Sequence, residues 1–164
     1  MDKGIMEFKA NSSENIGNIF YICAAGFEDR TKGIPDSLKT IGKKVFKYCN
    51  ILKYHSYQQY GEDQKPAEYL EKNEKNEGSL NSCLQELSGT KPKTSIIEID
   101  DTLKTNSNLR GTFQSIPSSE VNAIFVDISG MANFLILLTL HQISVCFPDK
   151  KVFVLYTEAE NYFP

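Results

Sequence analysis

Runs of apolar residues alternate with polar, helix-patterned segments along the whole chain. The runs of strand length are Ile19 to Ala24, Val45 to Leu52, Ser95 to Ile99, Ala123 to Ile128 and Val152 to Tyr156. The first is almost continuously apolar, as is typical of a strand buried on both faces of a parallel sheet. The pattern therefore predicts five strands.

Helical spacing of apolar residues fills the intervals between these runs. The predicted helices extend from Pro35 to Ile41, from Pro66 through Leu87, between Ser107 and Ile116, and from Met131 to about Cys146. The second contains a polar run, so it is either one helix with a solvent-exposed middle or two helices kinked near Gly78.

Strands that alternate with helices predict a single Rossmann-like α/β domain with helices on both faces of an open, mostly parallel, five-stranded sheet. Right-handed crossovers step the first three strands outward and return the fourth to the other side of the first, which gives the order 3-2-1-4-5. Ligands of such sheets bind outside the carboxyl ends of the strands, where neighbouring connections diverge. Here that switch point lies between the first and fourth strands.

The expected domain organisation follows from the residues at the two ends of the chain. Residues 1–18 are polar and rich in Asn and Ser, so they are predicted to be a leader or an edge element, with the Rossmann-like domain at 19–164. A doubly wound sheet normally covers its last strand with a helix, whereas this sequence stops soon after Tyr156. We therefore expect homo-oligomerisation, or a following C-terminal domain in a longer protein.

Polar side chains gather in the turns after the first, fourth and fifth strands, within IFYICAAGFEDRT, AIFVDISGMAN and VFVLYTEAENYFP. The topology brings these three turns to one rim of the sheet. The predicted ligand-binding residues are Gly26, Glu28, Arg30, Thr31, Asp127, Ser129, Gly130, Asn133, Tyr156 and Glu158.

In the first turn, Gly26 is expected to take a positive φ and let the chain leave the strand sharply. Arg30 offers a planar fork to a phosphate or carboxylate. The alternative for Arg30 is an ion pair with Asp127 or Glu158 that ties the loops together, and the sequence leaves both open.

In the fourth turn, Ser129 and Gly130 are predicted to open a helix whose first amides form an anion site, with Asn133 adding a side-chain amide. The alternative is that Ser129 is a plain N-cap, which is the commoner role of a lone Ser-Gly pair at this position. Asp127 ends a buried strand, so its carboxylate must be paired, hydrogen-bonded or functional.

The fifth turn offers Tyr156, Glu158 and Glu160 for ring stacking, ribose contacts or proton transfer. Glu160 also fits an exposed chain end. Neither His55 nor His141 has an acid and a nucleophile at the spacing of a catalytic triad.

The composition of the chain limits the kinds of partner that we expect. A net charge of -3 argues against an extended nucleic acid. Four cysteines without a C-x-x-C pair indicate reduced core residues of a cytoplasmic protein rather than a zinc site. The N-terminus has no apolar signal region, and the run Phe134 to Leu140 is too short to span a bilayer, so no membrane partner is expected.

The phosphate motifs G-x-x-x-x-G-K-[ST] and G-x-G-x-x-G are missing. The segment VDISGMANFLILL, however, resembles the strand, Thr/Ser-Gly turn and apolar helix of CRISPR-associated Rossmann-fold (CARF) domains, in which that turn lies against a cyclic oligonucleotide. The resemblance implies a nucleotide-sensing module with Ser129, Gly130 and Asn133 at the ligand. It departs from the family where a second glycine and a lysine are expected, since Met131 to Asn133 stands there.

Three hypotheses follow. The first is a sensory domain, without a cofactor, that binds a nucleotide-like anion. In it, Arg30 and the Ser129-Gly130 amides hold phosphate. The sugar or base is contacted by Glu28, Asp127 and Glu158. The second is a nucleotide glycosidase or metal-dependent phosphoryl hydrolase with catalytic candidates Glu28, Asp127 and Glu158. Only this reading involves Mg²⁺, held by Glu98 and Asp100 with Glu28. The third is a protein interaction domain.

Overall fold

The structure is a computed structural model that describes residues 17–26, 29–39, 46–55 and 66–157, with the backbone alone at 29, 30 and 66–70. Strands and helices alternate through these ranges. The strands are β1 (Ile19–Ala25), β2 (Phe46–His55), β3 (Lys93–Glu98), β4 (Ala123–Asp127) and β5 (Lys151–Leu155). The α-helices are α1 (Gly33–Leu38), α2 (Pro66–Ser88), α3 (Thr102–Gln114) and α4 (Asn133–Cys146), and 3₁₀ turns span Asp29–Lys32 and Ser118–Glu120.

All strand pairs are parallel, and the sheet order is β3-β2-β1-β4-β5. The central strand β1 pairs with β2 on one side and β4 on the other, so that Ile19 lies between Phe46 and Ala123. The fold class and the strand order predicted from the sequence are confirmed.

Strand β1 separates two apolar layers, because its successive side chains point to opposite faces. Tyr21 and Cys23 pack with residues of α1 and α2. Phe20 and Ile22 pack on the other face with residues of α3 and α4. Every residue of β1 is at most 2% exposed, which explains its continuous apolar sequence.

Several element boundaries differ from the predicted ones. Helix α2 is continuous through Gly78, so the two-helix alternative is wrong. Helix α3 begins at Thr102 rather than Ser107, because the Asp101 carboxylate accepts the Lys104 N–H at 2.8 Å and caps the helix. Strand β2 extends to His55, which pairs with β3.

The outer edge of the sheet at β5 is only partly covered within the described residues. Val152 is 40% exposed and Val154 is 52% exposed, and both lie on the strand's face toward α4. Homo-oligomerisation or a following domain at this edge stays a prediction. Of residues 1–18, only Gly17 and Asn18 are described, so the predicted leader also stays a prediction.

None of the described helices has both the length and the apolar composition needed to cross a membrane.

Candidate functional site

The turns that follow β1 and β4 lie in direct contact at the carboxyl rim of the sheet. A Cβ atom built at Gly26 would stand 3.3 Å from the Thr31 methyl and 3.4 Å from the Gly130 carbonyl oxygen. A Cβ built at Gly130 would stand 2.8 Å from both the Ala24 oxygen and the Thr31 methyl, which no real Cβ tolerates. The sequence needs glycine at 130 because two backbones and a side chain converge there.

Gly26 does not take the positive φ that is expected for it from the sequence. Among the described residues the positive-φ glycine is Gly89, at 74°, after the end of α2. The missing side chain of Gly26 instead permits close approach to Thr31 and Gly130.

Thr31 fills the space between the two glycines and is 1% exposed. At this depth the switch point is therefore packed rather than open. Any ligand of this rim must lie above the contact between the turns, not between the strands.

Asp127 is 1% exposed, and both of its carboxylate oxygens accept hydrogen bonds. The Tyr21 hydroxyl donates to Oδ2 at 2.7 Å, and the Ser129 N–H donates to Oδ1 at 3.0 Å. Burial, followed by the charge of Asp127, raises the pKa of Tyr21 well above its usual value, so the hydroxyl remains a donor. The structure therefore shows hydrogen bonds to both oxygens of the Asp127 carboxylate.

Ser129 is fully buried and is not an N-cap. Its Oγ accepts the Thr157 N–H at 2.8 Å, which ties the turn after β4 to the chain leaving β5. The N-cap of α4 is Ala132, so this helix begins at Asn133 and not at the predicted Met131. The Met131 N–H is used in a turn to the Ile128 oxygen at 3.1 Å.

Tyr54, near the end of β2, holds the same turn from the other side. Its hydroxyl donates to the Gly130 oxygen at 3.3 Å and accepts the Ala132 N–H at 2.8 Å. Sequence reasoning missed both Tyr54 and Tyr21. A tyrosine inside a predicted buried strand is the signal that could have found them, because a buried phenol needs a polar partner.

The first turn of α4 presents backbone donors at this rim. The Ala132 N–H bonds to Tyr54, and the Leu135 N–H bonds to the Ala132 oxygen at 2.9 Å. The amides of Asn133 and Phe134 are those that helix geometry leaves without an intrahelical partner. The side chain of Asn133 is exposed beside them.

The fifth turn closes the rim. A Cβ at Gly33 would stand 2.8 Å from the Thr157 side chain, so the chain leaving β5 packs on the start of α1. Tyr156 is 45% exposed. Glu28, Glu158 and Glu160 lie outside the described residues, and Arg30 is described only by its backbone. Ligand contacts of the ten predicted residues, and both alternatives for Arg30, stay predictions.

The acids proposed for Mg²⁺ lie at the end of β3, and β2 separates β3 from β1. Glu98 accepts hydrogen bonds from Lys104 Nζ and His55 Nδ1, each at 2.9 Å. The hydrogen bond from Lys104, and then that from His55, lowers the pKa of Glu98. Asp100 is exposed. Within the described ranges, no group of three or more His, Cys, Asp or Glu side chains is arranged to hold a metal ion.

Comparisons with known proteins give a distant structural similarity and no family. No protein-family model and no curated protein matches the chain. Among solved structures, it is similar to a protein from the universal stress protein family of Burkholderia pseudomallei, at 9% identity and a TM-score of 0.43. The alignment covers 87% of this chain and 98% of that one. The finer resemblance to CARF domains stays a prediction.

Proposed function

We propose that the chain is a sensory domain that binds a nucleotide-like anion on the carboxyl rim, above the contact between the turns after β1 and β4. The observation that carries the proposal is the bracing of residues 129–132 at the switch point. This turn delivers the first amides of α4 to the place where Rossmann-like sheets bind ligands.

Three tethers from different strands hold that turn. Asp127 accepts the Ser129 N–H, Ser129 accepts the Thr157 N–H, and Tyr54 bonds to Gly130 and Ala132. A backbone fixed in this way loses little conformational freedom on binding, and its donors keep their direction. The tethers therefore favour recognition of a ligand by backbone groups.

The charge of the proposed ligand follows from the donors. The amides of Asn133 and Phe134 stand at the positive end of the α4 dipole, where an anion is stabilised. Arg30, on the facing turn, supplies the charged partner for phosphate in this proposal. Glu28 and Glu158 contact the sugar or base.

Binding is favoured over hydrolysis by the state of Asp127. Both of its oxygens are engaged and it is 1% exposed, so it is poorly placed to exchange a proton with a substrate. The hydrolase alternative then depends on Glu28 and Glu158. The interaction-domain alternative has one observation in its favour, the exposure of Val152 and Val154 on β5.

The test is thermal melting of the chain with nucleoside mono- and triphosphates and with cyclic oligoadenylates. A ligand at a hundredfold excess over its dissociation constant adds about 2.7 kcal/mol of stability, which is a clear shift in Tm. If no nucleotide in this panel raises Tm, the proposal is wrong.

A pair of variants locates the site. Asn133→Asp places a negative charge beside the α4 amides, so it should abolish the nucleotide shift while raising the stability of the free protein by about 0.3–1 kcal/mol. Asn122→Asp is the matched control, because Asn122 is exposed just before β4, at the opposite rim. Equal loss of binding in both variants would contradict this location.

A further inference from the structure

A second candidate site lies between α1 and α2, on the face of the sheet opposite to α3 and α4. An open groove of about 550 Å³ separates the two helices there. Its walls include Lys32 and Lys39 on one side and Lys75, Gly78 and Cys83 on the other. This volume lies within the range of small-molecule sites.

The charges of the groove are unbalanced. Three lysines and two carboxylates, Asp36 and Glu86, line it. Lys39 already faces both carboxylates, with its Nζ 3.1 Å from Asp36 and 4.0 Å from Glu86. Within the described ranges, Lys32 and Lys75 have no ion-pair partner, and they stand on opposite walls. The lining of the groove therefore sums to one positive charge, and Lys32 and Lys75 are the two lysines outside the Lys39 ion pairs.

The floor of the groove does not oppose an anion. Cys83 is 8% exposed, and burial raises the pKa of its thiol, so the group is neutral at physiological pH. Leu80 and Pro35 border it but are themselves buried, with Leu80 1% exposed, so the groove presents mainly polar and charged groups. A small anionic ligand fits this lining.

Gly78 keeps one wall free of side chain. It lies inside α2, where glycine is less favourable than alanine, and a Cβ atom built there meets nothing within 4 Å. Neither packing nor backbone conformation requires glycine here. A longer side chain at 78 would project from the wall into the groove.

We propose that this groove binds a small phosphate monoester, with Lys32 and Lys75 on the phosphate and the ester group beside Gly78. A monoester carries close to two negative charges at neutral pH, which matches the two lysines. Lysine binds phosphate as a point charge, so the opposed walls need no planar geometry. This site is separate from the nucleotide site proposed on the rim and does not depend on it.

The probe is phenyl phosphate, titrated into the full chain and followed by ¹⁵N–¹H NMR. Saturable shifts are expected at amides of residues 32–39 and 75–86. Shifts confined to residues 130–134 and 157 would support the rim site and overturn the groove. Absence of saturable shifts at 32–39 and 75–86 would also overturn it.

Two matched pairs of variants test the contacts. Lys75→Gln should weaken binding about tenfold, the effect of losing one charge-assisted hydrogen bond. Lys72→Gln removes a charge from the same helix outside the groove and should leave binding unchanged. Gly78→Gln should block the groove, whereas Gly111→Gln, at an open helical position of α3, should not. Equal effects within either pair would show non-specific attraction or a general change in the fold, and would overturn the proposal.

Discussion

Gly130 is the residue at which the carboxyl rim is packed most tightly. Replacing it with alanine places a methyl group 2.8 Å from the Ala24 oxygen and the Thr31 methyl, so the turn or β1 must shift. We expect Gly130→Ala to lower the free energy of unfolding by about 1–3 kcal/mol, the usual cost of forcing an extra methyl into a packed core. Urea denaturation measures this change.

Gly111→Ala is the control for that substitution. Gly111 lies inside α3, and a Cβ atom there meets nothing within 4 Å. Alanine at 111 should therefore raise stability by about 0.8–1 kcal/mol through helix propensity alone. A Gly130→Ala protein as stable as the wild type would mean that the two turns do not touch.

Asp127 shows how much of the site is readable from single residues. The sequence indicates that a carboxylate at the end of a buried strand needs a partner. It does not identify Tyr21, which is 106 positions away and reaches Asp127 only because β1 and β4 are neighbours. The requirement is local, but the partner is set by the sheet.

Helix α4 is the element for which the sequence does not predict which face is buried. Leu137 and Val145 are 70% and 50% exposed, whereas Thr139 and Gln142 are buried. The helix is apolar on nearly all sides, so its sequence has no periodicity that distinguishes an inner face from an outer one. Which face of α4 is buried is therefore set by its packing against α3 and the sheet.

The buried hydroxyl of Thr139 gives a test of that orientation. It is fully buried, and no hydrogen-bond partner for its Oγ1 occurs within the described ranges. Thr139→Val keeps the shape and removes an unsatisfied polar group, so we expect stability to rise by about 1 kcal/mol. The midpoint of urea unfolding reports the change.

Thr105→Val is the matched substitution on α3. The Thr105 hydroxyl accepts the Glu98 N–H and donates to the Glu98 oxygen, each at 2.8 Å. Valine there leaves two backbone groups without their partner and should cost about 1–3 kcal/mol. If both variants change stability in the same direction, Thr139 is not oriented as described.

The sequence predicts the boundaries of an element well where every position of the element is buried. It predicts them poorly where a capping residue sets the boundary. The run Ile19 to Ala24 predicts β1, observed as Ile19–Ala25, because every position of that strand is buried. The predicted start of α3, at Ser107, lies too late in the chain because the prediction does not include the capping role of Asp101. Asp-Asp-Thr before a helical pattern is the signal that could have found it.

At the scale of the whole molecule, connection handedness predicts the complete strand order, and so it also predicts which turns meet. It does not predict how they meet. Whether the rim is an open cleft or a packed contact depends on the sizes of Thr31, Gly26 and Gly130 once they are brought together. This explains why the sequence predicts where the rim lies but does not predict that the two turns pack against each other there.

Buried thiol and phenol groups limit the stability of the whole protein at alkaline pH. Burial raises the pKa of Cys49 to about 12 and those of Cys23 and Tyr21 well above their usual values. The unfolded chain therefore releases these protons at lower pH than the folded chain. Stability should be complete below about pH 9 and fall by an amount on the order of a few kcal/mol as the pH rises toward 12.

The Cys49→Ala variant isolates one of these groups. Its free energy of unfolding should fall less steeply between about pH 9 and 12 than that of the wild type, by up to about 1.4 kcal/mol per pH unit. Cys146→Ala, at a less buried thiol, should leave the slope closer to that of the wild type. Unchanged slopes in both variants would mean that Cys49 is not buried in the folded state.

The central position of β1 has a consequence for synthesis on the ribosome. Its partner β2 follows soon, but β4, which covers its other edge, comes about 100 residues later. At ~5–20 residues per second, that edge waits on the order of 5–20 s. Throughout this interval the nascent chain carries a fully apolar strand with one unpaired side, the kind of surface that chaperones shield and that aggregates when they do not.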